Sequence, residues 1–226
     1  MEIVIEHLLE GAKRAKGTAV IIDVYRAATT AACIMGGGAK ELVLAESFED
    51  AFRRKKKDPS CILVGEKHGL PVHGFDQGNS PHDASLFDYS GKKAVMKTSS
   101  GTAGILAAGE ADEVLFAGFV NAKATVRYLK ENDPENVTLV CMGWEGMKDT
   151  EEDVLCAEYL KALLLGEAPD YAPIKERLRN AESSQRFFSG NPDWPEEDFY
   201  CAVDLDRFHY ALKAVKRGRE TVLVKA

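Results

Sequence analysis

Hydrophobic positions along this 226-residue chain switch repeatedly between a period of two and a helical period. Residues 18–24 form a continuous run rich in β-branched side chains, the pattern of a strand buried on both faces. Residues 27–35 then read as a helix, which Gly36-Gly37-Gly38 ends. A second strand is predicted at 42–45, a helix capped by Ser47 runs to Arg54, and a third strand covers 61–64 before a long polar loop. The same order returns as a strand at 94–96, a helix at 102–108, a strand at 114–117, a helix at 122–130 and a strand at 137–141. Residues 151–165 and 206–216 space their apolar side chains as helices do, and residues 221–224 predict a closing strand. The stretch 169–195 is the least regular.

The recurrence extends to the residues themselves. Gly38-Ala39-Lys40-Glu41-Leu42-Val43-Leu44-Ala45 is echoed 72 positions later by Glu110-Ala111-Asp112-Glu113-Val114-Leu115-Phe116-Ala117, and Thr30-Ala31 by Thr102-Ala103 at the same offset. Cys61-Ile62-Leu63-Val64 and Thr138-Leu139-Val140-Cys141 correspond at an offset of 77. An internal repeat of strand, turn and helix predicts a layered α/β/α fold of two related units. The expected division is residues 1–90, with a long glycine-rich loop, and residues 91–226, with carboxyl-terminal helices and the closing strand. The active site is expected in the cleft between the units.

Composition sharpens this picture mainly by exclusion. The chain is 45% apolar, enough for a sizeable core, and its net charge is −7 with both signs interspersed. That balance argues against nucleic acid as a partner, so an anionic ligand needs a local basic site. The basic run Arg53-Arg54-Lys55-Lys56-Lys57 ends a predicted helix, where cations complement the dipole. The run at 18–24 is far short of the roughly 20 residues of a membrane span, and no secretory leader precedes it. Five cysteines without a Cys-x-x-Cys pair point to a reducing, cytoplasmic setting.

Candidate chemistry gathers in three loops. Asp23-Val24-Tyr25-Arg26-Ala27-Ala28-Thr29-Thr30 places a carboxylate at the end of a buried strand, followed by a cation and two hydroxyls at a helix start. These are parts for a metal ion and a bound oxyanion. They also suit a plain helix start in which Thr29 or Thr30 caps and Asp23 pairs with Arg26. The longest loop carries Gly65-Glu66-Lys67-His68-Gly69 and Gly74-Phe75-Asp76-Gln77-Gly78-Asn79-Ser80-Pro81, acids and amides between glycines. In the second unit Lys97-Thr98-Ser99-Ser100-Gly101-Thr102 occupies the turn equivalent to the Asp23 loop, with hydroxyls and amides suited to an anion. His68, His73 and His82 match no zinc spacing. A Cys-x5-Arg phosphatase loop at Cys141 would need Arg where Met147 stands, and no Gly-x4-Gly-Lys nucleotide loop is present.

Taken in order, the Asp23 loop, Gly65-Glu66, Gly74 through Pro81, Gly101-Thr102, Asn121-Ala122 and Cys141-Met142-Gly143 followed by Glu152-Asp153 resemble the motif set of the 2-phosphosulfolactate phosphatase family. A weaker likeness at Ser183-Ser184-Gln185-Arg186 and at Cys201-Ala202-Val203-Asp204 carries it into the tail. The resemblance implies a magnesium-dependent hydrolase that removes phosphate from 2-phospho-3-sulfolactate, yielding 3-sulfolactate on the route to coenzyme M. It implies Asp23, Glu66, Asp76 and Asp153 as Mg²⁺ ligands, with Glu152 and Arg26 also catalytic. Thr29, Thr30, Asn79, Ser80, Lys97, Thr98, Ser99, Ser100, Gly101, Thr102, Asn121 and Arg186 are the implied substrate contacts. The family's usual Arg after Gly-Glu and Asn before Gly-Thr are Lys67 and Ser100 here. Its first Thr triplet is reduced to Ala28-Thr29-Thr30. The alternative is a non-catalytic or differently specific relative that binds a small phosphorylated or sulfonated acid. A homodimer is a further expectation.

Overall fold

The computed structural model describes all 226 residues. In chain order the elements are β1 (Glu2–His7), α1 (Leu8–Arg14), β2 (Thr18–Ile22), α2 (Ala27–Gly36), β3 (Glu41–Leu44), α3 (Phe48–Lys57), β4 (Ile62–Lys67), the short β5 (Leu70–Pro71), α4 (Pro81–Leu86) and β6 (Lys93–Lys97). They continue with α5 (Gly101–Ala107), β7 (Glu113–Ala117), α6 (Ala122–Asn132), β8 (Asn136–Cys141), α7 (Glu151–Leu164), α8 (Tyr171–Asn180), a 3-10 stretch (Glu182–Phe188), α9 (Glu196–Ala202), β9 (Leu212–Arg217) and β10 (Glu220–Lys225).

All ten strands join one sheet in the order β1-β8-β2-β7-β9-β10-β3-β6-β4-β5. The repeat is visible in that order, but the units trade strands. β2 lies parallel between β7 and β8, while β6 lies parallel between β3 and β4. Each first strand is thus inserted into the other unit, and residues 1–90 and 91–226 interleave within the sheet. The β9-β10 hairpin pairs antiparallel with β7 on one side and with β3 on the other, closing the gap between the two triplets. The accumulated twist, about 20–25° per strand, turns triplets of opposite direction until their carboxyl ends face one site.

Strand alternation sorts the side chains into three packed layers. Ala19, Ile21, Leu42, Leu44, Ala94, Met96, Phe116 and Val140 point inward and share one core with α2 and α5. Val20, Ile22, Leu115, Leu139 and Cys141 face outward on one half and are covered by α6 to α9, whereas Val43, Leu63 and Val95 pack under α3 on the other. The expected layered α/β architecture is therefore observed. In α2, nine of ten residues are buried, and Ala27, Ala28, Ala31 and Ala32 are small enough to let both sheet halves approach it. All five cysteines are unpaired, and no helix is long and apolar enough to cross a membrane.

Residues 206–216 depart from their predicted helix. The segment instead ends in β9, and Gly218 with φ +64° turns the chain into β10. Local spacing favoured a helix, but β7 and β3 would otherwise each leave a row of unpaired backbone groups, and filling both edges wins. The tail from 169 onward is more ordered than its composition suggests, since it holds α8 and the 3-10 stretch.

Candidate active site

The ends of β2, β4, β6 and β8 meet in a cleft lined by Asp23, Glu66, Asn79, Ser99, Ser100 and Gly143, with Tyr25, Arg26, Trp144 and Trp194 above them. It lies where loops of both sequence units come together.

Asp23 leaves the end of β2 and is buried. Its Oδ1 accepts from the Ala27 amide at 3.2 Å and its backbone oxygen from the Ala28 amide at 3.0 Å, so this carboxylate, rather than Thr29 or Thr30, starts α2. Burial pushes the Asp23 carboxyl up to about 7, the charges of Glu66 and Glu152 add to the rise, and the amides of Ala27 and Gly101 oppose it. Gly101 is required by this contact: an added Cβ would lie 2.8 Å from Asp23 Oδ2 and 2.6 Å from Phe116 Cζ. Gly101→Ala is expected to displace Asp23 and lower kcat about 10- to 100-fold. Steady-state phosphate release beside a thermal melt would check this, with a small melt change marking a misplaced group rather than an unfolded chain.

Glu66 ties the two units together. Its Oε1 accepts from the Ser99 amide at 2.5 Å, and its Oε2 from the Gly69 amide at 2.5 Å and from Ser99 Oγ at 3.1 Å. Asp153 performs the matching task across β2 and β8, with Oδ1 on the Val24 amide and Oδ2 on the Gly143 amide, both at 2.8 Å. Both Asp153 oxygens are thus engaged by the backbone, and burial beside Glu152 and Asp23 holds its carboxyl well above the ordinary range. Glu152 sits behind the cleft, where burial raises its pKa while Ser183 Oγ donates to it at 2.5 Å.

Arg26 is not free to meet an anion with its full charge. Its guanidinium donates to Asp198 Oδ2 at 2.9 Å, to Asp193 O at 2.9 Å and to Gly69 O at 2.8 Å, and it stacks 3.8 Å above the Trp194 ring. Its acidic partner is therefore Asp198, not Asp23. Asp198 is itself fully buried, and its Oδ1 accepts from Ser80 Oγ at 2.6 Å and from the His82 amide at 3.0 Å.

Several implied substrate contacts serve the framework. Thr98 and Thr102 close their turn on each other: each side-chain oxygen accepts from the other's amide, at 2.9 and 3.1 Å. Ser100 Oγ donates to Gly143 O at 2.9 Å, joining β6 to β8. Thr29 and Thr30 donate to the backbone oxygens of Val24 and Asn79. Ser80 accepts from the Asp83 amide and caps α4, and Asn121 closes the turn after β7 through Gly118 and Phe116. Lys97, its pKa lowered by burial, lies over Phe48 and does not line the cleft.

Asp76 also stays outside the cleft. Its carboxylate receives Lys55 Nζ at 2.9 Å and the Leu63 amide at 2.7 Å, pinning the long loop to β4. Asn79 does reach the cleft, and its buried Oδ1 has no hydrogen-bond partner. No three His, Cys, Asp or Glu side chains converge in the arrangement of a ready-made metal cluster.

Asp198 and the Gly69 carbonyl belong to the site without having been singled out for it by sequence. Asp198 lies in an acidic helix start, Glu196-Glu197-Asp198, which reads as ordinary dipole compensation.

The family model described as 2-phosphosulpholactate phosphatase matches residues 3–192. A protein of Bacillus subtilis named probable 2-phosphosulfolactate phosphatase is 32% identical over 189 residues, covering 82% of each chain. Proteins of the same name from Deinococcus radiodurans and Thermus thermophilus are 38% and 37% identical, covering 71% and 72% of this chain and 69% of their own in both cases.

Proposed function

Because the chain belongs to the 2-phosphosulfolactate phosphatase family, we propose that it is a magnesium-dependent phosphoric monoester hydrolase that releases phosphate from 2-phospho-3-sulfolactate. The observation that carries this reading is a charge imbalance. Buried Glu152 raises the proton affinity of both Asp23 and Asp153, and Asp23 adds to that of Asp153, while Arg26 is already paired with Asp198 and the charge of Arg186 acts mainly on Glu152. A divalent cation would relieve that excess of negative charge.

The donor set fits Mg²⁺, which takes oxygen ligands, needs only one or two carboxylates and keeps several waters. Asp23, Glu66 and the unpartnered Asn79 Oδ1 all line the cleft and would hold it. When bound, Mg²⁺ supplies Lewis-acid polarisation of the phosphoryl oxygens and neutralises charge on them.

The protein's own groups do the rest. Asp153 fixes the Val24 and Gly143 amides, and Glu66 fixes the Ser99 turn, so both walls of the cleft are held before substrate arrives. In the metal-free cleft burial raises the Asp23 carboxyl to about 7, and a bound cation would hold it ionised as a ligand. The Trp144 and Trp194 rings cover the cleft and limit bulk water.

Release of inorganic phosphate from 2-phosphosulfolactate tests this reading. Turnover is expected with Mg²⁺ and is expected to fall to background in EDTA. Binding of 3-sulfolactate without turnover under any metal would instead support the non-catalytic alternative.

A further inference from the structure

The open space in the cleft is only about 20 Å³, room for a single water. A phosphoester with two further acidic groups needs more, and the space lies directly across Trp144. There a second hollow of about 460 Å³ is bordered by Trp144, Lys148, Thr150, Ser183 and Arg186.

Arg186 forms the partition. Its guanidinium carbon lies 4.6 Å from the ring centre of Trp144 and 4.6 Å from that of Trp194. Nε donates to Ser183 O at 2.6 Å, and neither terminal nitrogen donates to a protein group. Of the acids around the hollow, Asp149 is engaged with His7 at 2.9 Å and Glu151 with Arg177 at 2.5 Å, while buried Glu152, which accepts from Ser183 Oγ, is the carboxylate whose charge acts on Arg186 without a hydrogen bond to it. Glu182 is mostly exposed and sits 3.8 Å from Lys148. What faces the hollow is thus a planar guanidinium with open donors and a lysine beside it. That is the fork geometry that matches a carboxylate or sulfonate.

Trp144 stands between Gly143 and Glu145-Gly146, and all three of these neighbours have left-handed backbones, with φ of 60°, 55° and 66°. The turn is closed by a backbone bridge in which the Trp144 amide donates to Lys148 O at 2.7 Å and the Lys148 amide to Trp144 O at 3.1 Å, so a wider cleft requires the indole side chain, not the backbone, to rotate.

We propose that the hollow at Arg186 and Lys148 is a second anion subsite, which takes the sulfonate of the substrate while the phosphate lies against Asp23. The assignment rests on the phosphatase reading above. It also separates the three cations suggested by sequence, since Arg26 is paired with Asp198, Lys97 lies over Phe48, and Arg186 borders the hollow with neither terminal nitrogen bonded to protein.

The test compares two esters with the same phosphate-bearing carbon, 2-phosphosulfolactate and 2-phospholactate, which has a methyl group in place of the sulfonate-bearing carbon. In wild type with Mg²⁺ the sulfonated ester is expected to have the lower KM. Arg186→Gln is expected to reduce the preference in kcat/KM by about 10- to 100-fold, mostly through KM. The exposed Lys148→Ala is expected to reduce it by a few-fold, which guards against misfolding of the Arg186 variant. An unchanged preference in both variants would overturn the subsite. If wild type hydrolysed neither ester, the phosphatase reading would fail separately, and calorimetric titration with 3-sulfolactate and with lactate would decide the subsite. Tighter binding of 3-sulfolactate that Arg186→Gln abolishes would sustain it, and equal binding of both acids would end it.

Discussion

Asp23→Asn is expected to lower kcat for phosphate release by about 10³-fold or more while making the metal-free protein more stable at pH 8. The loss follows from position, because Asp23 lines the cleft, starts α2 through Ala27 and packs against Gly101. The gain follows from the cost of an ionised carboxyl buried among other carboxylates. In the folded chain its pKa rises from 3.8 to about 7, chiefly through burial, so the folded state holds a proton that the unfolded state releases. A raised carboxyl contributes stability that is present at low pH and lost as pH climbs from about 4 through 7. For the wild type in EDTA, moving from pH 5.5 to pH 8 therefore costs roughly 2–4 kcal/mol, or on the order of 5–15 °C in Tm. Asparagine keeps the shape, carries no charge and removes the Asp23 share of that slope, leaving the part due to Glu152 and Asp153. Thermal melts in EDTA at the two pH values, beside phosphate-release kinetics in Mg²⁺, check both halves. A variant with wild-type turnover, or one less stable than wild type at pH 8, would remove Asp23 from the centre of the site.

The parts of this molecule legible in sequence are those fixed by local pattern. The β-branched run that becomes β2, the alanine-rich α2 and the Ser47 cap of α3 each follow from a short window of residues. The repeat was legible as well, and with it the convergence of the Asp23 loop and the Ser99 turn on one cleft. Its strand exchange was not, because the insertion of β2 between β7 and β8 depends on pairings more than 90 residues apart, and periodicity carries no partner information. The same limit explains β9, whose residues have helical spacing and become a strand only because two sheet edges need filling.

Among site residues, sequence marks which acids lie in loops but not where each carboxylate points. Asp76 and Glu66 belong to one polar stretch of sequence, yet Glu66 falls in the end of β4 on the cleft wall while the following loop sends Asp76 to Lys55. Asp153 was singled out as a metal ligand; it does not line the cleft, and its two oxygens accept from the Val24 and Gly143 amides. The position that matters most and reads least is Asp198. It lies beyond the 3–192 span matched by the family model, in a helix start where an acid needs no special explanation.

Asp198→Ala is accordingly expected to cost about 3–5 kcal/mol, because it leaves the Arg26 guanidinium buried without its counter-charge. Tm should fall by roughly 6–20 °C. The carboxylate also holds Ser80 Oγ and the His82 amide, so its removal loosens the start of α4 and the Asn79 segment that lines the cleft. Activity should fall with stability, although Asp198 does not line the cleft. The charge pair can be separated from these neutral bonds by a double-mutant cycle of Arg26→Met and Asp198→Asn, in which the amide can still accept from Ser80 and His82. If the cost arises from an orphaned charge, Arg26→Met/Asp198→Asn should be clearly more stable than Asp198→Asn alone, since removing both members of a buried pair is far cheaper than removing one. Turnover should not recover in the double variant, because Arg26 also holds Gly69 O and supports Trp194 above the cleft. Additive losses in the cycle would mean that the pair contributes little, and that α9 is held to the site mainly by its apolar face through Phe199 and Ala202. A strong coupling would make Arg26 and Asp198 the clamp through which the tail completes a cleft otherwise built by the two repeated units.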